Sequence, residues 1–308
     1  MTWVFKLFVL TLLAGLLGTG CSARKDDAVA DRLDRLKAEL AEYIEGKDAR
    51  IGVAVIYDGT DTVSVNGGRD FPMLSVYKFP QALAVADYCL KNGIDVKDTI
   101  SIKADSIRTN TWSPMREKHG VRNLGLPLSE LLEYSVGQSD NNACDILFAL
   151  IGGPNKADSL MKAMGHDDIS IRSTEDEMHR DPMLCNLNTS TPVAMAALFD
   201  EFYRQDMFHQ SSIHEAIGAI MLSCSTGVNR LPAPLAATNA VIGHKTGTGD
   251  VDGRGRIMAV NDAGMVFLPN RHGYAIAVFV ADSAYDMEST EKIIADISDI
   301  VFRSLAES

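Results

Sequence analysis

Hydrophobic residues follow helical spacing near both ends of the chain and strand spacing beside those helices. Between residues 30 and 47, apolar side chains recur every three or four positions among charges, which predicts an amphipathic helix. Two β-branched runs at 51–57 and 62–65, with turn residues 58–61 between them, predict a hairpin. Further strands are predicted at 240–244, 256–260, 265–268 and 274–281, and a closing helix at 290–305.

The middle of the chain has a different pattern. A strongly apolar helix is predicted at 77–90, and the pattern stays mostly helical to residue 223. Residues 167–188 are charged, contain Pro182 and lack periodicity, which predicts a long loop of the kind that is usually functional. We therefore expect an α/β (α+β) fold, in which an antiparallel sheet and the terminal helices (about 30–74 and 225–308) carry an inserted all-helical subdomain (about 75–224).

Composition and charge narrow the function only slightly. The chain has 46% hydrophobic and 23% charged residues, which are ordinary globular values. A net charge of −12, without a Lys/Arg stripe, argues against nucleic acid as a partner. Five cysteines without a CxxC pair, and no His/Cys/carboxylate group at ligand spacing, predict neither a disulfide scaffold nor a bound metal or other cofactor.

The first 20 residues form a separate segment. Lys6 precedes an apolar run at 7–17 that is too short to span a bilayer and is typical of a secretory signal. We therefore expect an exported protein, in the periplasm or cell envelope, whose mature part is 21–308. Small residues before Cys21 leave two outcomes open: acylation of that cysteine, as in bacterial lipoproteins, or simple cleavage near Ala23.

The first candidate motif is Ser75-Val76-Tyr77-Lys78 at the start of the apolar helix. A lysine three residues after a serine lies on the same helix face, where its amine can reach the hydroxyl. The helix N-terminus favours developing negative charge on that serine. Alone the pair is weak support for catalysis, because serine is also a common N-cap.

Two fixed tripeptides strengthen this interpretation. Ser-Asp-Asn stands at 139–141 and Lys-Thr-Gly at 245–247, and their joint occurrence in this order is rare by chance. With all three motifs, the chain resembles the class A serine β-lactamases and their penicillin-binding relatives. The resemblance covers essentially the whole mature chain, and it implies the serine β-lactamase/DD-peptidase fold and a monomer.

A glutamate separates class A enzymes from the penicillin-binding relatives. In class A it lies in a long loop that ends in Thr-Pro, and counting back from Thr191-Pro192 without a gap places it at Glu175. Asp176 and Glu177 remain alternatives, because they are close acids in the same loop.

Several positions depart from the usual class A pattern. His179 stands where the family usually has asparagine, and Ser173 and Asn188 stand where an arginine and an aspartate brace the loop. These departures resemble the divergent class A subgroup that includes the PER-type extended-spectrum enzymes. Ala82 and Leu132 occupy the family's disulfide positions, so we expect the remaining cysteines to be buried thiols: Cys89, Cys144, Cys185 and Cys224. Export also permits a disulfide between two of them, and the sequence leaves this alternative open.

The resemblance implies a two-step hydrolysis of the β-lactam amide of penicillins or cephalosporins, which gives antibiotic resistance. Ser75 would be the nucleophile, and its proton would pass to Lys78 or, through a water, to Glu175. Ser139 would relay a proton to the lactam nitrogen, and Glu175 would activate the deacylating water. Two alternatives stay open: a DD-peptidase or penicillin-binding protein, and a β-lactam sensor domain that stays acylated.

The resemblance also implies the substrate contacts. Asn141 would hold the side-chain amide, and the backbone N–H groups of Ser75 and Thr248 would form the oxyanion hole. The Lys245-Thr246-Gly247 motif would contact the substrate, with Lys245 and Thr246 supplying part of the site for its carboxylate. An added arginine suits carboxylate binding. Arg230 is the first choice, because its place in the segment 226–230 resembles the placement in the PER-type subgroup, and Arg254 is the alternative. Trp112 and His179 would line the cleft, although core packing is the other explanation for a tryptophan.

Overall fold

The computed structural model describes residues 19–204, 207–208 and 211–306, with side chains from residue 29 onwards. The predicted signal segment lies almost entirely outside this part, as does the side chain of Cys21, so both processing outcomes stay predictions. Among the described residues, no helix combines the length and the apolar character that a membrane span requires.

The described chain has strands mainly towards its two ends and helices mainly in its middle. The helices are α1 (Thr19–Ile44), α2 (Lys78–Asn92), α3 (Pro114–His119), α4 (Leu128–Leu132), α5 (Asn141–Ile151), α6 (Pro154–Ala163), α7 (Glu175–Arg180), α8 (Pro192–Arg204), α9 (Ser212–Leu222) and α10 (Met287–Ala306). The strands are β1 (Arg50–Tyr57), β2 (Asp61–Val65), β3 (Phe71–Pro72), β4 (Thr99–Ile102), β5 (Leu124–Pro127), β6 (Ile169–Ser170), β7 (Thr189–Ser190), β8 (Val241–Thr248), β9 (Ile257–Phe267) and β10 (Gly273–Ser283).

Five antiparallel strands form the central sheet, in the order β2-β1-β10-β9-β8. Along β1, Val53 and Val55 pack in one apolar core with α1 and α10, while Ala54 and Ile56 pack in the other with the helices from the middle of the chain. Because both faces are covered, the central strands have continuous apolar runs rather than alternation. The predicted α/β fold is confirmed, and β8 is the edge strand that faces the site.

Strand β9 corrects the prediction of two strands at 256–260 and 265–268. It runs unbroken from Ile257 to Phe267, although Asn261 and Asp262 interrupt its apolar pattern. Both side chains are fully buried and hydrogen-bonded. The Asn261 amide donates to the carbonyls of Pro72 at 2.8 Å and Met73 at 3.0 Å, so it ties the sheet to the segment before Ser75.

Replacing Asn261 by alanine should lower the free energy of unfolding by about 2–4 kcal/mol, because two buried carbonyls lose their donor. Urea unfolding followed by circular dichroism measures the change. The matched control is Asn155→Ala on the exposed surface of α6, expected within about 0.5 kcal/mol of the parent. Equal stabilities for the two variants would contradict this account of β9.

The predicted loop at 167–188 is also more ordered than expected. It contains α7 and a 3₁₀ segment at Pro182–Leu187, and strands β6 and β7 pair with each other at its two ends. Helix α7 begins with a capping box, in which Thr174 accepts from the Glu177 N–H and the Glu177 carboxylate accepts from the Thr174 N–H. This Thr-x-x-Glu signal is visible in the sequence but is too local to reveal by itself how the segment packs.

Smaller differences concern element ends. Helix α1 spans Thr19–Ile44 rather than 30–47, and the middle of the chain also holds the β4–β5 hairpin. Strand β8 continues through Thr248, past the predicted end at 244, so the Lys-Thr-Gly motif lies within a strand. The motif therefore has fixed backbone geometry opposite β9.

Candidate active site

Ser75 lies on the 3₁₀ turn Leu74–Tyr77 that leads directly into α2. Leu74 has a φ of 48°, which is unusual for a residue with a side chain and marks a locally strained turn. The turn leaves Ser75 partly exposed, while the helix that follows is buried from Lys78 to Ala86. A buried helix thus supports a serine at the wall of a cleft.

The Lys78 ammonium is fully buried and has three oxygen atoms around it. Its Nζ donates to the Ser139 carbonyl at 2.8 Å and to Asn141 Oδ1 at 2.7 Å, and it lies 3.0 Å from Glu175 Oε1. The first two are hydrogen bonds, whereas the third is an ion pair, because Glu175 Oε1 is buried and has no hydrogen-bond partner among the described residues. Lys78 therefore joins the three segments that carry Ser75, Ser139 and Glu175.

The Ser-Asp-Asn motif forms a tight turn before α5. Ser139 has a φ of 57°, and buried Asp140 caps the helix by accepting from the Ala143 N–H at 2.8 Å. The same carboxylate accepts from Ser113 Oγ at 2.8 Å and from the Met115 N–H at 2.7 Å. These bonds fix the turn and leave the Ser139 hydroxyl facing β8.

Asn141 and Trp112 are coupled to each other through the backbone. The Asn141 N–H donates to the Trp112 carbonyl at 3.1 Å, and its side-chain amide donates to Thr111 Oγ1 at 2.8 Å. Trp112 is 58% exposed at the cleft, and its indole N–H donates to the Gln138 carbonyl at 3.1 Å. This exposure excludes core packing as the explanation for Trp112.

Lys245 lies on the edge strand opposite Ser139. Its Nζ donates to Ser139 Oγ at 3.0 Å and to the Thr246 carbonyl at 2.9 Å, and the residue is fully buried. Burial, with a further contribution from the charge of Lys78, lowers the pKa of Lys245 to about 8. The ammonium is thus close to losing its charge at mildly alkaline pH.

Gly247 is required by a close backbone approach. A Cβ at this position would lie 2.5 Å from the Met73 carbonyl oxygen and 3.2 Å from the Ser75 nitrogen. Only glycine lets β8 pack this tightly against the turn that carries Ser75. The approach also sets Thr248, the next residue of β8, at the cleft beside Ser75.

The two candidate arginines differ in place. Arg230 is buried, and its guanidinium donates to the carbonyls of Gly247 at 3.1 Å and Asn261 at 3.0 Å, to Thr248 Oγ1 at 2.7 Å, and to Glu291 at 3.1 Å. Together with the 3.0 Å ion-pair distance from Nη2 to Glu291, these contacts engage all three guanidinium nitrogens. Arg254 has a 70% exposed side chain paired with aspartates and does not line the cleft.

Among the three neighbouring acids, Glu175 alone faces Lys78. Asp176 pairs with Arg108 at 3.2 Å and also with Arg180, and Glu177 is exposed and serves the cap of α7. Glu175 is the first residue of α7, and its side chain is only 12% exposed. The gap-free count from Thr191-Pro192 therefore selects the acid that the structure directs into the cleft.

Asp145 is a site residue that the sequence reasoning missed. Its two carboxylate oxygens accept from the backbone N–H groups of Glu175 and Asp176, each at 2.8 Å. Burial, followed by the charge of Glu175, raises the pKa of Asp145 to about 7. The sequence offers one signal for Asp145 as a site residue. It lies four residues after Asn141, so the two side chains share one face of α5.

Ser173 and Asn188, which stand where the family usually has an arginine and an aspartate, join the two ends of the loop by hydrogen bonds. Asn188 Oδ1 accepts from the N–H groups of Arg172 at 2.7 Å and Ser173 at 2.9 Å, and its amide donates back to the Ser173 carbonyl at 2.9 Å. Exposed His179 on α7 contacts Asn110 across the cleft, with 2.7 Å between Nε2 and Nδ2. The two ends of the loop are therefore joined by the Asn188 amide, at the positions where the family usually has an Arg–Asp pair.

The cleft encloses about 870 Å³ between the β8 edge and the helical part. Its lining includes the sequence-selected residues that are not fully buried, among others Ser75, Trp112, Ser139, Asn141, Glu175, His179, Arg230, Thr246 and Thr248. Within the described chain, the four cysteines are all unpaired and no group of His, Cys, Asp or Glu side chains could hold a metal. Cys224 is half-buried, contrary to the expectation of four buried thiols.

Comparisons with known proteins agree with this geometry. The model of the β-lactamase enzyme family matches residues 34–305. A β-lactamase from Bacteroides uniformis is 37% identical over 276 residues, which cover 90% of this chain and 93% of that protein. The extended-spectrum β-lactamase PER-1 from Pseudomonas aeruginosa is 31% identical over 269 residues, covering 87% and 86% of the two chains.

Solved structures give the same result. The TLA-1 extended-spectrum β-lactamase superposes with a TM-score of 0.85 at 38% identity, covering 89% of this chain and 99% of the other. A class A β-lactamase from Bacteroides cellulosilyticus gives a TM-score of 0.86 at 36% identity, covering 90% and 99%. The chain therefore belongs to the β-lactamase enzyme family, as a class A member that resembles the PER-type extended-spectrum enzymes.

Proposed function

We propose that this protein hydrolyses the β-lactam amide of penicillins and cephalosporins through an acyl-enzyme on Ser75, and so gives resistance to these antibiotics. The observation that carries the proposal is the placement of the Glu175 carboxylate, 3.0 Å from Lys78 Nζ in the cleft that Ser75 lines. The three motifs alone are shared with penicillin-binding proteins, whereas a carboxylate in this place supplies a base for deacylation.

In the acylation step, Ser75 Oγ attacks the lactam carbonyl and loses its proton to Lys78, or to Glu175 through a water. The hydrogen bond from Lys245 to Ser139 Oγ supports a path by which Ser139 passes a proton to the leaving nitrogen. The N–H groups of Ser75 and Thr248 stabilise the oxyanion, and such a donor is worth about 2.7–4 kcal/mol. The close approach at Gly247 holds these two segments together.

In the binding step, Lys245 supplies the charge that attracts the substrate carboxylate, and Thr246 and Thr248 offer hydroxyls at the cleft. Because the guanidinium of Arg230 is fully engaged, we infer that Arg230 acts through Thr248, which it orients at 2.7 Å, and through its positive charge. Asn141 holds the side-chain amide of the substrate. Trp112 and His179 border the opening.

The deacylation step uses Glu175 to take a proton from the water that attacks the acyl-enzyme. Turnover of a chromogenic cephalosporin by the purified protein tests this function, with many substrate molecules cleaved per enzyme as the expected result. Stoichiometric acylation without turnover would overturn it in favour of a penicillin-binding protein or a β-lactam sensor. Electrospray mass spectrometry of the mixture separates these outcomes.

The value of kcat/KM for carboxylate-bearing substrates should fall as the pH rises through about 8, because Lys245 then loses its proton and its charge. The fall should appear mainly in KM. A methyl ester of the same cephalosporin lacks the carboxylate and should show a flatter profile over this range. Identical profiles for the acid and the ester would contradict this role of Lys245.

We further propose that residues about 30–74, 75–224 and 225–308 work as one monomeric catalytic unit in the periplasm or cell envelope. The apolar run at 7–17 supports export, and Cys21 supports lipid attachment as one of two processing outcomes. The intact mass of protein purified from membranes and from the soluble fraction distinguishes an acylated Cys21 from simple cleavage near Ala23.

A further inference from the structure

Cys224 differs from the other described cysteines in its surroundings. It follows α9 and is half-buried, whereas Cys89, Cys144 and Cys185 are buried. Its Sγ lies 3.3 Å from Thr226 Oγ1 and 3.8 Å from the Gly137 carbonyl oxygen.

The second member of this group is His244 on β8. Its Nδ1 lies 2.8 Å from Asp262 Oδ1 on the neighbouring strand β9, and its imidazole is close enough to Cys224 to act on the ionisation of the thiol. Both His244 and Asp262 are buried, and the other oxygen of Asp262 accepts from the Leu231 N–H at 3.2 Å. Because Asp262 occupies Nδ1, the Nε2 side of the ring is left for the sulfur.

This arrangement favours the thiolate. Burial opposes ionisation of the thiol, but the hydrogen bond and charge of His244, with the charge of Lys245, outweigh it and lower the pKa of Cys224 to about 7. Burial also opposes protonation of His244, and Asp262 outweighs that effect and raises its pKa to about 10. By contrast, burial raises the pKa of Cys89 to about 11.

The hydroxyl group of Tyr203 is a further polar group in this region. It is buried and makes no hydrogen bond with the described residues. Burial, and then the charge of Cys224, raises the pKa of Tyr203. A buried donor without an acceptor is uncommon in proteins, and here it lies near a sulfur that can become an anion or carry an added group.

We propose that Cys224, His244 and Asp262 form a second nucleophilic site, at which the Cys224 thiolate is modified by small disulfides. The thiolate attacks one sulfur of the disulfide and forms a new S–S bond with Cys224. The original S–S bond breaks, and its electron pair leaves with the other half as a thiolate that takes a proton from water. Cys224 is thereby oxidised, and the departing half is reduced.

Modification at this position reaches the β-lactam site through one residue. Thr226 Oγ1 contacts the Cys224 sulfur and also lies 2.7 Å from Thr246 Oγ1 in the cleft. A group added to Cys224 competes for the space of Thr226 and breaks its bond to Thr246. This regulatory consequence rests on the proposed β-lactam hydrolysis, whereas the thiol chemistry does not.

The thiol chemistry is tested on the folded full chain with 5,5′-dithiobis(2-nitrobenzoate), by following release of the coloured thiolate. We expect one fast equivalent with a rate that rises through about pH 7, mapped to Cys224 rather than Cys21 by peptide mass spectrometry. Cys224→Ser should lose the fast phase, and His244→Asn should slow it about tenfold at pH 7, because the thiol then returns toward its ordinary pKa.

Three results would overturn the site: no fast equivalent in the folded protein, a fast equivalent that persists in Cys224→Ser, or a rate that rises only near the ordinary thiol pKa. The pH dependence of the labelling rate in the protein without substitutions distinguishes these results, even where His244→Asn fails to fold.

The regulatory consequence has a separate readout. Labelled protein should lose about tenfold in kcat/KM for a chromogenic cephalosporin and regain it with dithiothreitol, while Cys224→Ser should give equal rates before and after treatment. Full activity in the labelled protein would overturn the link to the cleft. Absence of activity before labelling would contradict the proposed function and leave the thiol site standing.

Discussion

Replacing Glu175 by glutamine should produce a protein that is acylated by β-lactams and then releases product about 10²–10⁴ times more slowly. The amide keeps the size of the side chain but cannot take a proton from water. Mass spectrometry should therefore show the protein shifted by the mass of the opened antibiotic. Stopped-flow absorbance should show a burst of about one equivalent, followed by a slow phase.

The structure explains why this effect should be confined to one acid. Glu175 alone of the three neighbouring acids contacts Lys78, whereas Glu177 caps α7 and accepts from the Thr174 backbone. Glu177→Gln keeps an acceptor for that cap and is the matched control, expected to retain steady turnover. Fast turnover in Glu175→Gln would mean that another group activates the water.

The acylation rate of Glu175→Gln also addresses the first proton transfer. A nearly unchanged burst rate would assign the Ser75 proton to Lys78, because the glutamine cannot accept it through a water. A burst slowed as much as the later phase would assign both steps to Glu175. Either result leaves the role of Glu175 in deacylation intact.

Gly247→Ala is expected to lower kcat/KM by about 10²-fold or more. The added methyl would lie 2.5 Å from the Met73 carbonyl oxygen, so β8 and the Ser75 turn have to move apart. A displacement of about 1 Å between catalytic groups lowers the rate roughly 10²-fold. Two of the three nearest atoms, the Met73 carbonyl oxygen and the Ser75 nitrogen, belong to the backbone, and the third is the Leu74 Cβ, which is bonded to it. None of the three can rotate away as the end of a flexible side chain would.

Gly253→Ala is the matched control, because a Cβ there meets nothing within 4 Å and the residue is exposed. It should keep the parent's kcat/KM and melting temperature. Thermal melts of Gly247→Ala identify how much of its loss comes from unfolding. Parent-like kinetics in Gly247→Ala would contradict the close packing of β8 against Ser75.

Local patterns predicted much of the fold and of the candidate site. Apolar periodicity gave the terminal helices, the first hairpin and the last strand, because each buries a continuous face. The spacing within Ser75–Lys78 and the fixed tripeptides selected side chains that the structure brings into one cleft. Counting back from Thr191-Pro192 selected Glu175, because a short segment without an insertion keeps the same number of residues between the glutamate and the Thr-Pro pair as in the family.

The predictions that differ from the structure depend on contacts between distant segments. The polar pair Asn261 and Asp262 divides β9 in the pattern, but the strand is continuous because its partners at 72–73 and 244 satisfy both side chains. The resemblance to the PER-type subgroup ranks Arg230 before Arg254, but no local pattern shows which of the two is buried. Only the fold buries the first beside β8 and leaves the second at the surface.

The sequence by itself determined which residues are the candidates for the chemistry, because motif spacing and helical periodicity are properties of neighbouring positions. The tertiary structure decided how they act: which acid faces Lys78, why position 247 must be glycine, and that Asp145 holds the start of α7. It also joined Cys224 to His244 and Asp262. Burial, shared hydrogen bonds and shifted pKa values arise between segments far apart in the chain, so no local pattern records them.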